Sequence, residues 1–339
     1  MTYRIAINGF GRIGRNYLRA LLGQDLSNAG FQVVAINDLY DAGTLAHLLE
    51  YDSTFGRLGT GVDFDGDALT VGWHTIPTFA ERRPDALPWG DLGVDLVIES
   101  TGKLRTRDDA ALHLKAGAGR VLISAPGKGV DATLVPGVNA DSYDAVKHQI
   151  VSAASCTTNC VAPMAKVLND AFGIEYGYLT TVHAYTNDQN ILDAPHKDAR
   201  RARAAGVNII PTSTGAAKAV GLVLPELAGK LDGVALRVPV IDGSISDLTL
   251  QLGTEVTAEQ INAAIAEAAG PGRPMNGIIR YTEAPIVSTD VVGDPASCVF
   301  DSALTQAHGR LAKVFGWYDN EWGYTNRLVD LTKLFADRR

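Results

Sequence analysis

Tyr3-Arg4-Ile5-Ala6-Ile7-Asn8-Gly9-Phe10-Gly11-Arg12-Ile13-Gly14-Arg15-Asn16 is the stretch whose reading decides the fold. A short apolar run enters three glycines spaced G-x-G-x-x-G, and Ile13, Tyr17, Leu18, Leu21 and Leu22 then fall on one helical face. Strand, glycine turn and amphipathic helix in that order form the fingerprint of a dinucleotide site. Gly9 makes the tight turn, Gly11 lets pyrophosphate approach the backbone, and Gly14 lets helix and strand pack. The helix start offers free N–H groups to the phosphates. A second strand, Phe31–Ile36, leads to Asp38, 24 residues beyond Gly14. A carboxylate there accepts hydrogen bonds from ribose hydroxyls and repels a 2′-phosphate, which favours NAD over NADP; the alternative is that Asp38 caps a loop. Asn8, Arg12 and Ile13 share the glycine loop. Thr101 and Ser124 follow the third and fourth strands as second contacts, with loop capping the alternative for each.

Outward from that stretch, strands at Val94–Glu99, Val121–Ser124 and Ile150–Ala153 alternate with helical segments, which predicts a mainly parallel sheet covered on both faces. Residues 58–90, rich in glycine, read as a small hairpin insertion. Beyond about residue 150 a helix near 160–170 is followed by Tyr178–His183, a basic loop from Ala184 to Val207, and closely spaced strands. These are Val234–Val238, Ser244–Leu252, Gly277–Tyr281, Ser297–Asp301 and Leu311–Trp317. Thr257 with Gln260 opens one helix, Ala258–Ala268, in a capping-box pattern. The expected class is α/β: a Rossmann-type dinucleotide-binding domain over 1–155, and an α+β catalytic domain with a mainly antiparallel sheet over 156–319. A C-terminal helix at about 320–339 is expected to pack back on the first domain.

Composition narrows the function classes. In 339 residues, 46% hydrophobic and 20% charged, a globular core is ample, and disorder, collagen and coiled coil are excluded as the main state. A formal charge of −8 speaks against a dedicated nucleic-acid or anionic-membrane partner. No apolar run reaches about 18 residues, the length that a spanning helix needs. The N-terminal stretch lacks a signal-peptide pattern, and three cysteines, Cys156, Cys160 and Cys298, argue against a disulfide scaffold. The expectation is a cytoplasmic protein.

Ser155-Cys156-Thr157-Thr158-Asn159-Cys160 is the densest chemical signal. A thiol at a helix start is favoured as thiolate by the dipole and the free N–H groups. Pro163 leaves two readings, a kink within that helix or its true start. Cys160 reads as a buried small residue, and scattered histidines speak against zinc. Of seven histidines, His183 has the best context for a base, at the end of a strand, against the alternative of a core or surface histidine.

Five stretches together resemble phosphorylating glyceraldehyde-3-phosphate dehydrogenases along essentially the whole chain. They are SerCysThrThrAsnCys, His183–Gln189, Arg200–Ala204, Pro211–Lys218 and Trp317–Tyr324. The resemblance implies Cys156 as nucleophile and His183 as its acid/base partner. It implies Thr186 and Arg237 at the substrate's phosphate and Ser155, Arg201, Thr214 and Gly215 at inorganic phosphate, with Thr157 among the substrate- and phosphate-binding residues. Asn320 would orient the nicotinamide carboxamide. The implied reaction is NAD-dependent oxidation of glyceraldehyde 3-phosphate with inorganic phosphate through a hemithioacetal and a thioester, in a homotetramer. The alternative is an erythrose-4-phosphate or other non-phosphorylating aldehyde dehydrogenase on the same scaffold. Ala153, Asn190, Ala194 and Val240-Ile241-Asp242-Gly243 depart from the usual pattern, the last replacing ThrProAsnVal.

Overall fold

The computed structural model describes residues 2–338, and the chain divides into two compact units. The first unit is Met1–Leu134, Asp141–Ala154 and Thr325–Arg339; the second is Val135–Ala140 and Ser155–Tyr324.

In the first unit, β1 (Tyr3–Asn8), α1 (Arg12–Gly23), β2 (Phe31–Asn37) and α2 (Ala42–Glu50) come first. A hairpin insertion of β3 (Val62–Asp65), β4 (Ala68–Val71) and β5 (His74–Phe79) follows. Then come β6 (Leu96–Glu99), α3 (Arg107–Lys115), β7 (Arg120–Ile123), β8 (Ala132–Thr133) and β9 (Ile150–Ser152). The sheet order is β3-β4-β5-β2-β1-β6-β7-β9-β8. From β5 to β8 every pairing is parallel, while β3, β4 and β5 form an antiparallel meander. Continuous burial along β1 and β6 explains why their apolar runs do not alternate: both faces are covered. The chain leaves β1 toward β2 on one side and reaches β6 on the other. Such a switch point is where ligands bind in open parallel sheets.

The second unit begins with α4 (Cys156–Phe172), then β10 (Ile174–Ala184), β11 (Ile210–Ser213), α5 (Ala216–Val223), β12 (Leu231–Val238) and β13 (Ser244–Leu252). It continues through α6 (Ala258–Ala269), β14 (Ile279–Thr282), β15 (Cys298–Asp301), β16 (Gln306–His308) and β17 (Leu311–Tyr318). The order is β11-β12-β10-β13-β17-β15-β14, with β16 on β17. Five pairings are antiparallel, and β10–β12 and β14–β15 are parallel. Strict alternation of burial along β13 marks a sheet with one face on the core. The capping box of Thr257 and Gln260 opens α6 as its sequence suggests.

Two strands are longer than the apolar pattern indicates. Strand β10 has 11 residues and β12 has 8, because glycines inside them replace side chains that would collide. A Cβ on Gly177 would lie 2.5 Å from the Leu250 side chain, and one on Gly233 2.4 Å from the Leu179 carbonyl oxygen. The last helix, α7 (Trp322–Asp337), contributes its length from Thr325 to the first unit. There Tyr17 Oη lies 2.7 Å from Thr332 Oγ1, and the Tyr143 and Phe335 rings lie 4.5 Å apart. Among the described residues no helix is long and apolar enough to cross a membrane.

Candidate active site

The first unit carries a cavity of about 390 Å³ at the carboxyl ends of β1, β2 and β6. Asn8, Gly9, Gly11, Asp38 and Thr101 line it, as do Asn37, Glu81 and Lys103, which the sequence reading did not single out. Gly9 takes φ +90°, and a Cβ there would sit 2.6 Å from Thr101 N. Gly14 is close-packed, with a Cβ position 2.2 Å from the Gly9 carbonyl oxygen, whereas a Cβ on Gly11 would meet nothing within 4 Å. No side chain caps the start of α1, so its first N–H groups and the open face of Gly11 fit a pyrophosphate. Asp38 Oδ2 accepts from Phe10 N at 2.7 Å, so the carboxylate braces the glycine loop as well as facing the cavity. These residues fit NAD.

Other cofactor candidates stand apart. Arg12 turns to Asp52, with Nη1–Oδ2 at 2.5 Å, and Ile13 and Gly14 form the first turn of α1. Ser124 follows β7 and donates its N–H to the Glu99 carbonyl oxygen at 2.9 Å. Beneath the cavity lies a buried polar chain absent from the sequence reading. Trp89 Nε1 donates to His113 Nδ1 at 3.0 Å, which leaves Nε2–H to face Glu99 Oε2 at 3.1 Å. Asn8 Nδ2 donates to the same carboxylate at 2.6 Å, and Asn37 Nδ2 to Asn8 Oδ1 at 2.7 Å. Thr101 donates to the other carboxylate oxygen, its N–H at 2.9 Å and its hydroxyl more closely.

The second unit holds the thiol. Helix α4 starts at Cys156 and runs through Pro163, so the proline marks neither its start nor its end. Ser155 is the N-cap, its Oγ accepting from Thr158 N at 3.0 Å. Ala154, one residue earlier, takes φ +57°, a conformation sparsely used by residues with a Cβ. Cys156 Sγ lies 3.4 Å from His183 Nε2, on β10. In register beside His183 on β12 is Arg237, whose Nη1 lies 2.8 Å from His183 Nδ1 and donates to the Ala184 carbonyl oxygen at 2.9 Å. The Arg237 Nε is buried without an acceptor.

Burial pushes the Cys156 thiol up to about 11, while Arg237 and Thr157 pull it down. His183 is pushed down to about 3, by burial first and by Arg237 second. An imidazolium therefore does not hold the thiolate in the resting site. Both groups rest neutral, and the nearby cation is Arg237. Tyr318, adjacent to the Asp319–Trp322 turn, was not a candidate, yet it organises the site. Its hydroxyl lies 2.9 Å from Thr157 Oγ1 and 2.8 Å from Thr181 Oγ1, and its ring meets His183 edge-on at 5.9 Å. Thr157 is accordingly buried with its hydroxyl on Tyr318. Asn320 Oδ1 accepts from Ser244 Oγ at 2.6 Å, and Ser244 Oγ accepts from Ala184 N at 3.1 Å. That leaves the Asn320 amide N–H₂ as a donor.

Arg201 is tied within the loop after β10, to Asp188 and to Thr212 Oγ1 at 3.0 Å, and its charge bears on both His183 and Arg237. Thr214 and Gly215 head α5, with Thr214 Oγ1 accepting from Ala216 N at 3.1 Å. Thr186 lies just beyond β10, half-buried.

A glyceraldehyde 3-phosphate dehydrogenase NAD-binding domain model matches residues 3–107, and the C-terminal domain model of the same name matches 155–320. The chain is 60% identical over 333 residues to a glyceraldehyde-3-phosphate dehydrogenase of Streptomyces coelicolor, covering 98% of both chains. The chain belongs to the glyceraldehyde-3-phosphate dehydrogenase family. Another similar glyceraldehyde-3-phosphate dehydrogenase, from Mycobacterium tuberculosis, is 58% identical over 337 residues and 98% of each chain. Within this family the two described regions are a nucleotide pocket and a thiol–imidazole pair, each in its own unit.

Proposed function

We propose that the protein oxidises glyceraldehyde 3-phosphate with NAD and inorganic phosphate, giving an acyl phosphate. The 3.4 Å Cys156–His183 pair at the head of α4, with Arg237 alongside, carries this reading. His183, neutral at rest, takes the thiol proton as Sγ adds to the aldehyde carbon, and a hemithioacetal forms. The Cys156 backbone N–H, free at the helix start, and His183 stabilise its oxyanion. His183 then gives that proton to the oxyanion, and takes it back from the resulting hydroxyl as the carbon is oxidised to a thioester on Cys156. Bound NAD supplies the hydride acceptor for that step. Phosphate attacks the thioester and frees the thiol.

Arg237, with an unused buried Nε–H, suits the substrate's phosphate, together with Thr186. Ser155, Arg201, Thr214 and Gly215 are assigned to inorganic phosphate, and Thr157 to the substrate and phosphate region. For Arg201 this requires Asp188 to give way, and for Thr157 a shared hydroxyl. Asn8, Gly9, Gly11, Arg12, Ile13, Gly14, Asp38, Thr101 and Ser124 are assigned to NAD, Arg12 and Gly14 by shaping the loop. Asn320, through its free amide N–H₂, is assigned to the nicotinamide carboxamide.

The deciding assay is NADH formation with and without phosphate or arsenate, run on glyceraldehyde 3-phosphate and on erythrose 4-phosphate. A strong phosphate requirement and a preference for the three-carbon substrate are expected. A phosphate-independent rate, or a preference for erythrose 4-phosphate, overturns the assignment.

The assembly proposed is a homotetramer working in the cytoplasm, where its three free thiols stay reduced. Ile191, Leu192, Val207 and Ile209 of the long loop are between 68% and 87% exposed, an apolar surface suited to covering by another copy. Light scattering that gave a single chain of 35.9 kDa would sink this.

A further inference from the structure

Two carboxyl groups, Asp242 and Asp319, are each 1% exposed, on segments brought side by side where Ser244 pairs with Tyr318 and Ser244 Oγ donates to Asn320. Two carboxyl groups buried side by side do not both ionise, so one of them keeps a proton. Asp319 has the acceptor role filled: Oδ1 receives Glu321 N at 2.8 Å and Trp322 N at 2.6 Å, and Oδ2 receives Gly293 N at 2.7 Å. Asp242 Oδ1 accepts from its neighbour Gly243 N at 2.8 Å, and no donor reaches its buried Oδ2. The proton therefore belongs on Asp242.

We propose that Asp242 is a positioning residue for Asn320, a carboxylic acid that keeps its proton and, through Asp319, holds the turn 319–321. That turn carries Asn320, whose amide is set from its other side by Ser244, two residues beyond Asp242. The proposal rests on the assignment of Asn320 to the nicotinamide carboxamide. The position also departs from the ThrProAsnVal pattern usual in similar sequences, where an uncharged asparagine stands at the place of Asp242. Here that neutrality depends on a titratable proton.

The charged and titratable groups bearing on Asp242 are Asp319 and Glu321 from the turn and Cys156 from the head of α4. From the packed segment 288–294, Asp290 is spent on Val287 N at 2.8 Å and Asp294 on Arg280 at 2.6 Å. Burial first, then Asp319, pushes Asp242 up to about 9. Above that pH the proton is lost, and two buried carboxylates face each other.

The experiment compares wild type with Asp242→Asn and Asp242→Ala, as whole enzymes, by infrared difference spectroscopy in H₂O and D₂O and by kcat and KM for NAD from pH 6 to 10.5. Wild type should show a protonated-carboxyl band, sensitive to deuteration, that Asp242→Asn lacks. Its kcat should fall as pH passes about 9, while Asp242→Asn keeps a neutral donor and has no such limb. Asp242→Ala should lose about tenfold in kcat at pH 7, the value of one hydrogen bond, with less change in KM. No band difference between wild type and Asp242→Asn, or the same alkaline limb in both, overturns the proposal. If Asp242→Ala does not fold, the asparagine variant and the infrared band still decide. An unchanged kcat in Asn320→Ala, with the band intact, would instead remove the assignment of Asn320 and leave the proton in place.

Discussion

Cys156 and Cys160 are four residues apart on one helix, and their surroundings separate their chemistry. Cys160 is fully buried, with Sγ 3.5 Å from the Gly316 carbonyl oxygen, while Cys156 sits at the helix start 3.4 Å from His183. We expect Cys156→Ser to lose on the order of 10³-fold or more in aldehyde oxidation while NAD binding stays near normal. Cys160→Ser should keep at least partial activity, and steady-state NADH formation in the two variants, ranked the other way, would move the nucleophile. Arg237 has two effects on the pair: its cation favours the thiolate and disfavours imidazolium. In Arg237→Leu the His183 pKa should rise, though burial still holds it low, and that of Cys156 should rise further. Any acid limb from His183 should move to higher pH, and iodoacetamide should react more slowly at neutral pH. The acylation burst should weaken about 10- to 150-fold, as expected for one charge-assisted contact. A burst of normal size and an unmoved His183 titration would show that Arg237 acts elsewhere.

Helix α1 and the glycine loop were legible because each glycine has a separate steric reason to be there, and G-x-G-x-x-G after an apolar run encodes all three. Gly14→Ala should place its methyl 2.2 Å from a backbone oxygen, where no rotamer relieves it. We expect NAD affinity to fall at least about tenfold, a loss of about 1.4 kcal/mol, measured by calorimetric titration. Unchanged affinity would mean that the loop shifts freely. The start of α4 was half-legible: Ser155 and Cys156 announced a helix start, but Pro163 obscured it until the helix was seen to run through. What stayed hidden shares one physical cause. Tyr318, Ser244, Glu99 and His113 act through partners far along the chain, such as Tyr318 with Thr157 or Glu99 with Asn8. No local period or spacing records such pairings. His113 looked contextless in the sequence because Trp89 and Glu99, which fix its tautomer, come from other segments of the first unit.

For the molecule as a whole, the buried Asp242 proton makes stability depend on pH with a definite sign. Its carboxyl is raised in the folded chain to about 9 from 3.8, so between those values the folded state holds a proton that the unfolded chain has released. Its contribution is therefore present below pH 3.8 and is lost as pH rises toward about 9. Asp242→Asn, which does not titrate, should melt at a higher temperature than wild type at pH 8, and the gap should close toward pH 4. A gap of equal size at both pH values, read by calorimetry, would rule the titration out. The last helix has a consequence for biosynthesis. Tyr17 meets Thr332 across 315 positions, and Gln24 meets Asn326 across 302, so the first unit to leave the ribosome lacks its closing helix until some three hundred further residues have been made. Domains generally fold as units during synthesis, yet here the nucleotide unit stays unfinished while the thiol-bearing residues emerge. A nascent chain is thus an open-sided substrate for chaperones and proteases until the segment from Thr325 onward arrives.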